Sequence, residues 1–288
     1  MISDPRIGGM TFIYPGRSLD EAMRTATSFG FRVVDVGVGG RNGHIDPVQA
    51  ATEPQRHAAT VRKTAEKHGM ALNECFTLNF GPPINDPDPN TRAETRHRFE
   101  GLAAFARAAD FRSILLIPGP IHPQLGQPRS LDLAVEALKS LVEIAQKHEL
   151  KLRIEADCDS CARTPESAEQ LCERVPGLEL SLDYSHFIFL GHSQAEVERL
   201  HRYAGHVHVR QASPGRIVEF VEKPFIDYAK IIHDLEQRGY DGLFMVEYLS
   251  CWETDNCGID VAIETPKMIA VLEQMLVNVP ANEPSASR

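Results

Sequence analysis

Eight short runs of β-branched and aliphatic residues recur along the chain: RIGGMTF, FRVVDVG, MALNECF, SILLIPG, LKLRIEA, LELSLDY, HVHVRQ and LFMVEYL. Each is too short for a typical buried helix and nearly continuous in apolar character, as a strand buried on both faces of a parallel sheet would be. Longer amphipathic stretches separate them, over 18–30, 53–69, 90–109, 129–149, 165–175, 194–204, 224–238 and 263–278. These predict helices, so the pattern reads as a βα unit repeated eight times.

Punctuation agrees with that division. Ser130 stands before LDLAVEALKS as a helix start, and Pro165 in TPESAEQL lies in a first turn with acidic residues after it. Gly30, Gly69, Gly205 and Gly239 each follow a helical stretch and precede an apolar run, the place of a helix C-cap. Eight units favour closure into a (β/α)8 barrel, an α/β fold of the TIM type, because GGMTFIYPG lacks the glycine spacing expected after the first strand of a dinucleotide-binding sheet. A single domain is expected over 1–279, with 280–288 a disordered tail.

Four of the apolar runs close on a residue that can bind a metal: Glu155 in LRIEAD, Asp183 in LSLDYSH, His208 in VHVRQ and Glu247 in FMVEY. They are spaced by roughly one strand-helix unit. In a barrel they would meet at the C-terminal ends of strands five to eight, where barrel active sites lie. A lone buried glutamate at a strand end is more often a structural ion-pair partner. Four in succession point instead to a site for one divalent cation, with Mn²⁺ the first choice, Mg²⁺ and Co²⁺ next, and zinc and iron as further candidates. A cation beside a carbonyl stabilises the charge that grows when a neighbouring C–H proton is removed, and Glu155 and Glu247 are the candidates to take and return that proton.

Composition narrows the partners. The 288 residues carry 40 acidic against 30 basic side chains, a formal charge of −10 that offers no footprint for nucleic acid or an anionic membrane. MISDPRIGGM lacks the pattern of a leader, and no apolar stretch reaches membrane-spanning length, so a cytoplasmic protein is expected. Six cysteines are too few for a disulfide framework at this length, and reduced thiols are expected. Cys158-x-x-Cys161, with Cys251 and Cys257 on the same rim, completes no zinc-finger spacing, and small loop residues near the site are the better reading.

IEAD, SLDYSHF with its Asp183-x-x-His186 spacing, HVHVR and MVEY, supported by the stretch from FTLNFGPP to SILLIPG, resemble the xylose isomerase-like barrel superfamily. That group includes sugar phosphate isomerases and epimerases, ketose 3-epimerases, hydroxypyruvate isomerases and type-four apurinic endonucleases. The resemblance implies Glu155, Asp183, His208 and Glu247 as metal ligands, Glu155 and Glu247 as an acid/base pair working through an enediolate, and His186 and Arg216 as contacts to substrate oxygens. Gly215-Arg216 looks similar to the Gly-Arg pair that follows the strand-seven histidine of ketose 3-epimerases. Arg210 is a second cationic candidate at that rim.

The likeness has a departure. The loop after the fifth run, ADCDSCARTPES, has Cys161 where ketose 3-epimerases usually carry another sugar-binding glutamate, so recognition differs at that end. His44 and His122 follow predicted strands and could reach substrate, although a solvated loop histidine is the commoner outcome. They do not make a DNA enzyme of so acidic a chain. His206 is read as a barrel-interior residue. Trp252, with Phe76, Phe80, Phe187 and Phe225, could form an apolar wall over the substrate. The expectation is a metal-dependent epimerase or isomerase of a small polyhydroxylated carbonyl compound. The alternative is a lyase or dehydratase of a keto-cyclitol, dehydroshikimate or 3-keto-glycoside on the same parts. A homo-oligomer is expected, dimer or tetramer, with a separate partner subunit also open.

Overall fold

The computed structural model describes residues 2–13, 16–40, 43–78, 80–249 and 258–277. The expected Trp252, Cys251 and Cys257, and the expected tail at 280–288, lie outside them.

Eight parallel strands close into one barrel. In chain order they are β1 (Ile7–Met10), β2 (Val33–Val38), β3 (Ala71–Thr77), β4 (Ser113–Leu116), β5 (Lys151–Ile154), β6 (Leu178–Asp183) and β7 (Ala204–Val209), then β10 (Phe244–Val246). β10 pairs with both β7 and β1, which completes the ring. Between β7 and β10 the chain makes a small antiparallel hairpin of β8 (Gln211–Ser213) and β9 (Arg216–Glu219). The strand interiors are almost wholly buried, in keeping with their unbroken apolar runs.

The outer helices are α1 (Leu19–Ser28), α2 (Pro47–Thr52), α3 (Pro54–His68), α4 (Pro89–Ala109), α5 (Gly126–Lys147), α6 (Pro165–Arg174), α7 (Tyr184–Phe189), α8 (Gln194–Val197), α9 (Tyr228–Glu236) and α10 (Val261–Val277). Local chemistry starts several of them. Ser18 and Thr164 form capping boxes at α1 and α6, and Asp46 and Asp88 accept first-turn backbone N–H groups at α2 and α4. Pro occupies a first-turn position of α2, α3, α4 and α6, where its missing N–H costs nothing. No helix among the described residues is long and apolar enough to cross a membrane.

Three local expectations are corrected. Ser130 does not start a helix. α5 begins at Gly126, and the buried Ser130 hydroxyl donates to the Gly126 carbonyl while accepting the His122 N–H. Gly205 is not a helix cap but the second residue of β7. A Cβ there would collide with Arg153 Nε and Glu179 Oε2, so the glycine makes room for that ion pair. The helix expected over 194–204 is a single α-turn followed by a 3-10 segment, Glu198–Tyr203. Gly69 does cap α3 in the left-handed conformation, as its position suggested.

Candidate active site

Strand geometry gathers the four metal-capable residues. Asp183 is the last residue of β6 and pairs in register with His208, while Glu155 and Glu247 each lie one step past the end of β5 and β10. The backbone N–H of Glu155 donates to the Leu116 carbonyl, and that of Glu247 to the Val209 carbonyl, so both extend the ladder by one bond. One ligand atom from each of the four lies within 4.8 Å of the other three, and all four side chains are buried.

His208 holds the centre. Its Nδ1 stands 2.6 Å from Glu155 Oε1 and 3.3 Å from Glu247 Oε2. Burial alone would lower this imidazole, but the Glu247 and Glu155 carboxylates hold it well above its usual value. Burial, and then the facing Glu247, push Glu155 up. Asp183 behaves oppositely. Burial would raise it, yet Arg210, His186 and His208 bring it down to about 2.

Arg210 completes the ring from β7's end. Period-two alternation puts it on the same side as His206 and His208. Its Nη2 donates to Asp183 Oδ2 at 2.7 Å and approaches His186 Nε2 at 3.2 Å, and its Nε donates to Ser185 Oγ at 2.7 Å. The backbone of Arg210 is held by Tyr228, whose hydroxyl accepts its N–H and donates to its carbonyl. Nη1 of Arg210 and Oε2 of Glu247 are buried without a hydrogen-bond partner, 3.8 Å apart. Unpartnered buried polar atoms call for an explanation. An orphaned carboxylate oxygen among two further carboxylates and an imidazole suits a hard divalent cation, and the residues present fit one.

A second polar layer lies beneath. His206 Nε2 is 2.8 Å from His208 Nε2, so the two rings share a proton, and Arg153 lies 3.0 Å from His206 Nδ1. Asp35 on β2 and Glu74 on β3 surround His206. Burial and the nearby Glu74 push Asp35 up to about 8. Glu74 is held by the hydroxyls of Ser113 and Ser181 and by Arg153. Sequence reasoning misses Asp35 and Glu74 as residues of the polar interior, although Asp35 breaks the run RVVDV and Glu74 follows Asn73 in MALNECF. They sit within strands, not at the ends where active-site residues were sought.

The other candidates divide. His186 is buried beside the cluster, 3.6 Å from Asp183 and 3.8 Å from Glu155, and Cys158 donates its backbone N–H to the ring. Arg216 lies on the β8–β9 hairpin, its guanidinium on Glu219 at 3.0 Å, and is not brought to the carboxylates. His122 turns its Nε2 to Asn85, and His44 meets the Arg17 carbonyl with its Nδ1. Phe76 stacks on the His208 ring at 5.6 Å, whereas Phe225 is 53% exposed and builds no wall. Cys158 and Cys161 are free thiols. Cys161 is buried with its sulfur on the Pro118 carbonyl, and burial pushes it up to about 12, which leaves it unreactive.

The fold recurs in solved structures. D-psicose 3-epimerase from Clostridium cellulolyticum H10 superposes with a TM-score of 0.73 at 14% identity, covering 94% of this chain and 98% of that one. The 3-keto-D-glucoside 4-epimerase of E. coli gives 0.68 at 13% identity over 94% and 99%. A xylose isomerase domain-containing protein of Salmonella typhimurium LT2 gives 0.63 at 20% identity over 96% and 99%. No curated protein matches the sequence. The pattern described as Xylose isomerase-like TIM barrel matches residues 23–266, and the chain belongs to that family.

Proposed function

We propose that the protein is a metal-dependent epimerase or isomerase of a keto-sugar or a related polyhydroxylated carbonyl compound. The single observation that supports it most is the pairing of Glu155 and Glu247 across His208 Nδ1, two buried carboxylates within reach of one small substrate. The structural neighbours named as sugar epimerases lend support at the level of shared architecture.

In this reading Glu155, Asp183, His208 and Glu247 hold one divalent ion, Mn²⁺ by preference, which would supply positive charge beside the substrate carbonyl. One of the two glutamates takes the proton from the carbon next to that carbonyl. The other returns it from the opposite face, which inverts the carbon through an enediolate. Arg210 and His186 face substrate oxygens from the Asp183 side. The four ligand side chains are buried, which strengthens each of these electrostatic contacts.

Incubation with candidate keto-sugars in D₂O tests the reading. Deuterium should enter at one carbon without loss of water, and Glu155→Gln and Glu247→Gln should each lower exchange by at least about a hundredfold with the fold intact by circular dichroism. An unsaturated product would favour a lyase on the same parts, and an active double mutant would remove the two-glutamate mechanism.

A further inference from the structure

Beside the carboxylates lies a half-open cavity of about 250 Å³, formed where the chain leaves β3, β4 and β5. Its walls are largely apolar, with Phe80, Pro82, Ile84, Leu116, Ile117 and Pro120 facing it. Glu155 and Glu247 do not line it. It reaches the cluster through its rim, where Asp157 Oδ2 stands 3.6 Å from His186 Nδ1 and His186 Nε2 stands 3.8 Å from Glu155, and through Leu116, whose carbonyl accepts the Glu155 N–H.

A free sugar gives no reason for such a space. A hydroxylated carbon chain laid along prolines, leucine and isoleucine would leave the hydroxyls on the walled side without partners, at a cost of roughly 1–3 kcal/mol for each one removed from water. Among the described residues, the polar groups that line the cavity, Thr77, Asp157, Asp159 and Ser160, include no basic side chain, which makes a phosphate equally unsuited. Cys161, behind Ser160, is turned inward to Pro118 and adds no charge. An apolar ring fits better. A cavity of about 150 Å³ already admits benzene when its walls are apolar.

We propose that this cavity is a subsite for an aromatic aglycone, so that the substrate is a glycoside of a keto-sugar and not a free ketose. The proposal rests on the reading that the sugar carbonyl is worked on between Glu155 and Glu247. The sugar is held by the polar cluster, and its glycosidic substituent lies against Leu116, Ile117 and Ile84. Binding energy from this non-reacting group is then available to orient the sugar between the two carboxylates.

The test uses the full chain loaded with Mn²⁺ and two probes, methyl and phenyl 3-keto-D-glucoside, with affinities measured by calorimetry. The phenyl compound should bind at least about tenfold tighter, the worth of burying much of a ring. Ile117→Trp fills the cavity and should reduce that advantage to about twofold or less, and Ile117→Ala should reduce it partially. The affinity for the methyl compound should stay unchanged in both variants, which reports an intact sugar site. Equal affinities for the two probes in the parent protein, or a phenyl advantage that survives Ile117→Trp, would overturn the aglycone subsite alone. Failure to bind either probe would overturn it together with the sugar reading.

Discussion

Arg210 donates from Nη2 to Asp183 at 2.7 Å and leaves Nη1 3.8 Å from Glu247, so one buried positive charge lies against two of the residues proposed to hold an ion. A guanidinium and a divalent cation at the same carboxylates compete. Arg210→Met should therefore bind Mn²⁺ about tenfold or more tightly in a direct titration, while the ion-free variant loses about 3–5 kcal/mol of stability because buried carboxylates lose their partner. Unchanged or weaker Mn²⁺ binding would show that the guanidinium does not compete. The four strand-end residues were legible because a charge closing an apolar run is conspicuous. Arg210 and Arg216 were equally conspicuous as cations, and only the alternation shared by His206, His208 and Arg210 ranks one above the other. Ser185 and Tyr228, which fix Arg210, carry no signal at all, since a serine and a tyrosine are ordinary in any helix.

At the scale of elements, the guide was the contrast between apolar runs and the amphipathic stretches that separate them. The eight barrel strands, though short, and the long helices were visible that way. α2 and α7 were not, because six residues make under two turns of a 3.6-residue period, and the β8–β9 hairpin follows β7 with no amphipathic stretch to set it apart. Gly205 shows a different limit. A glycine before an apolar run reads as a cap, and only the packed Arg153–Glu179 pair reveals a glycine chosen for space. Gly205→Ala should accordingly destabilise the protein by about 1–3 kcal/mol, read as a lower denaturation midpoint in urea with an unchanged slope. Gly239→Ala offers a contrast. Its backbone is left-handed, at φ 77°, but nothing lies within 4 Å of the added Cβ, so any loss there is conformational and not steric.

For the whole molecule, the barrel spends buried charge on its axis. Asp35, Glu74, Glu155, Asp183 and Glu247 are all buried there, against Arg153 and Arg210. An ion that binds only the folded state adds to stability by mass action, so Mn²⁺ at a hundred times its dissociation constant should stabilise the protein by about 2.7 kcal/mol. A raised melting temperature that a chelator reverses would show it, and no shift would argue against an ion at these carboxylates. The placement of the parts has a consequence for how such a protein diversifies. The residues proposed to hold the ion and move the proton come from the second half of the barrel, on or just past β5, β6, β7 and β10, while most of the cavity wall comes from segments that follow β3 and β4. Insertions and substitutions over 78–86 and 117–122 can therefore exchange one molecular appetite for another while the chemistry is left alone. A randomised library confined to those two loops is the economical place to look for new specificities.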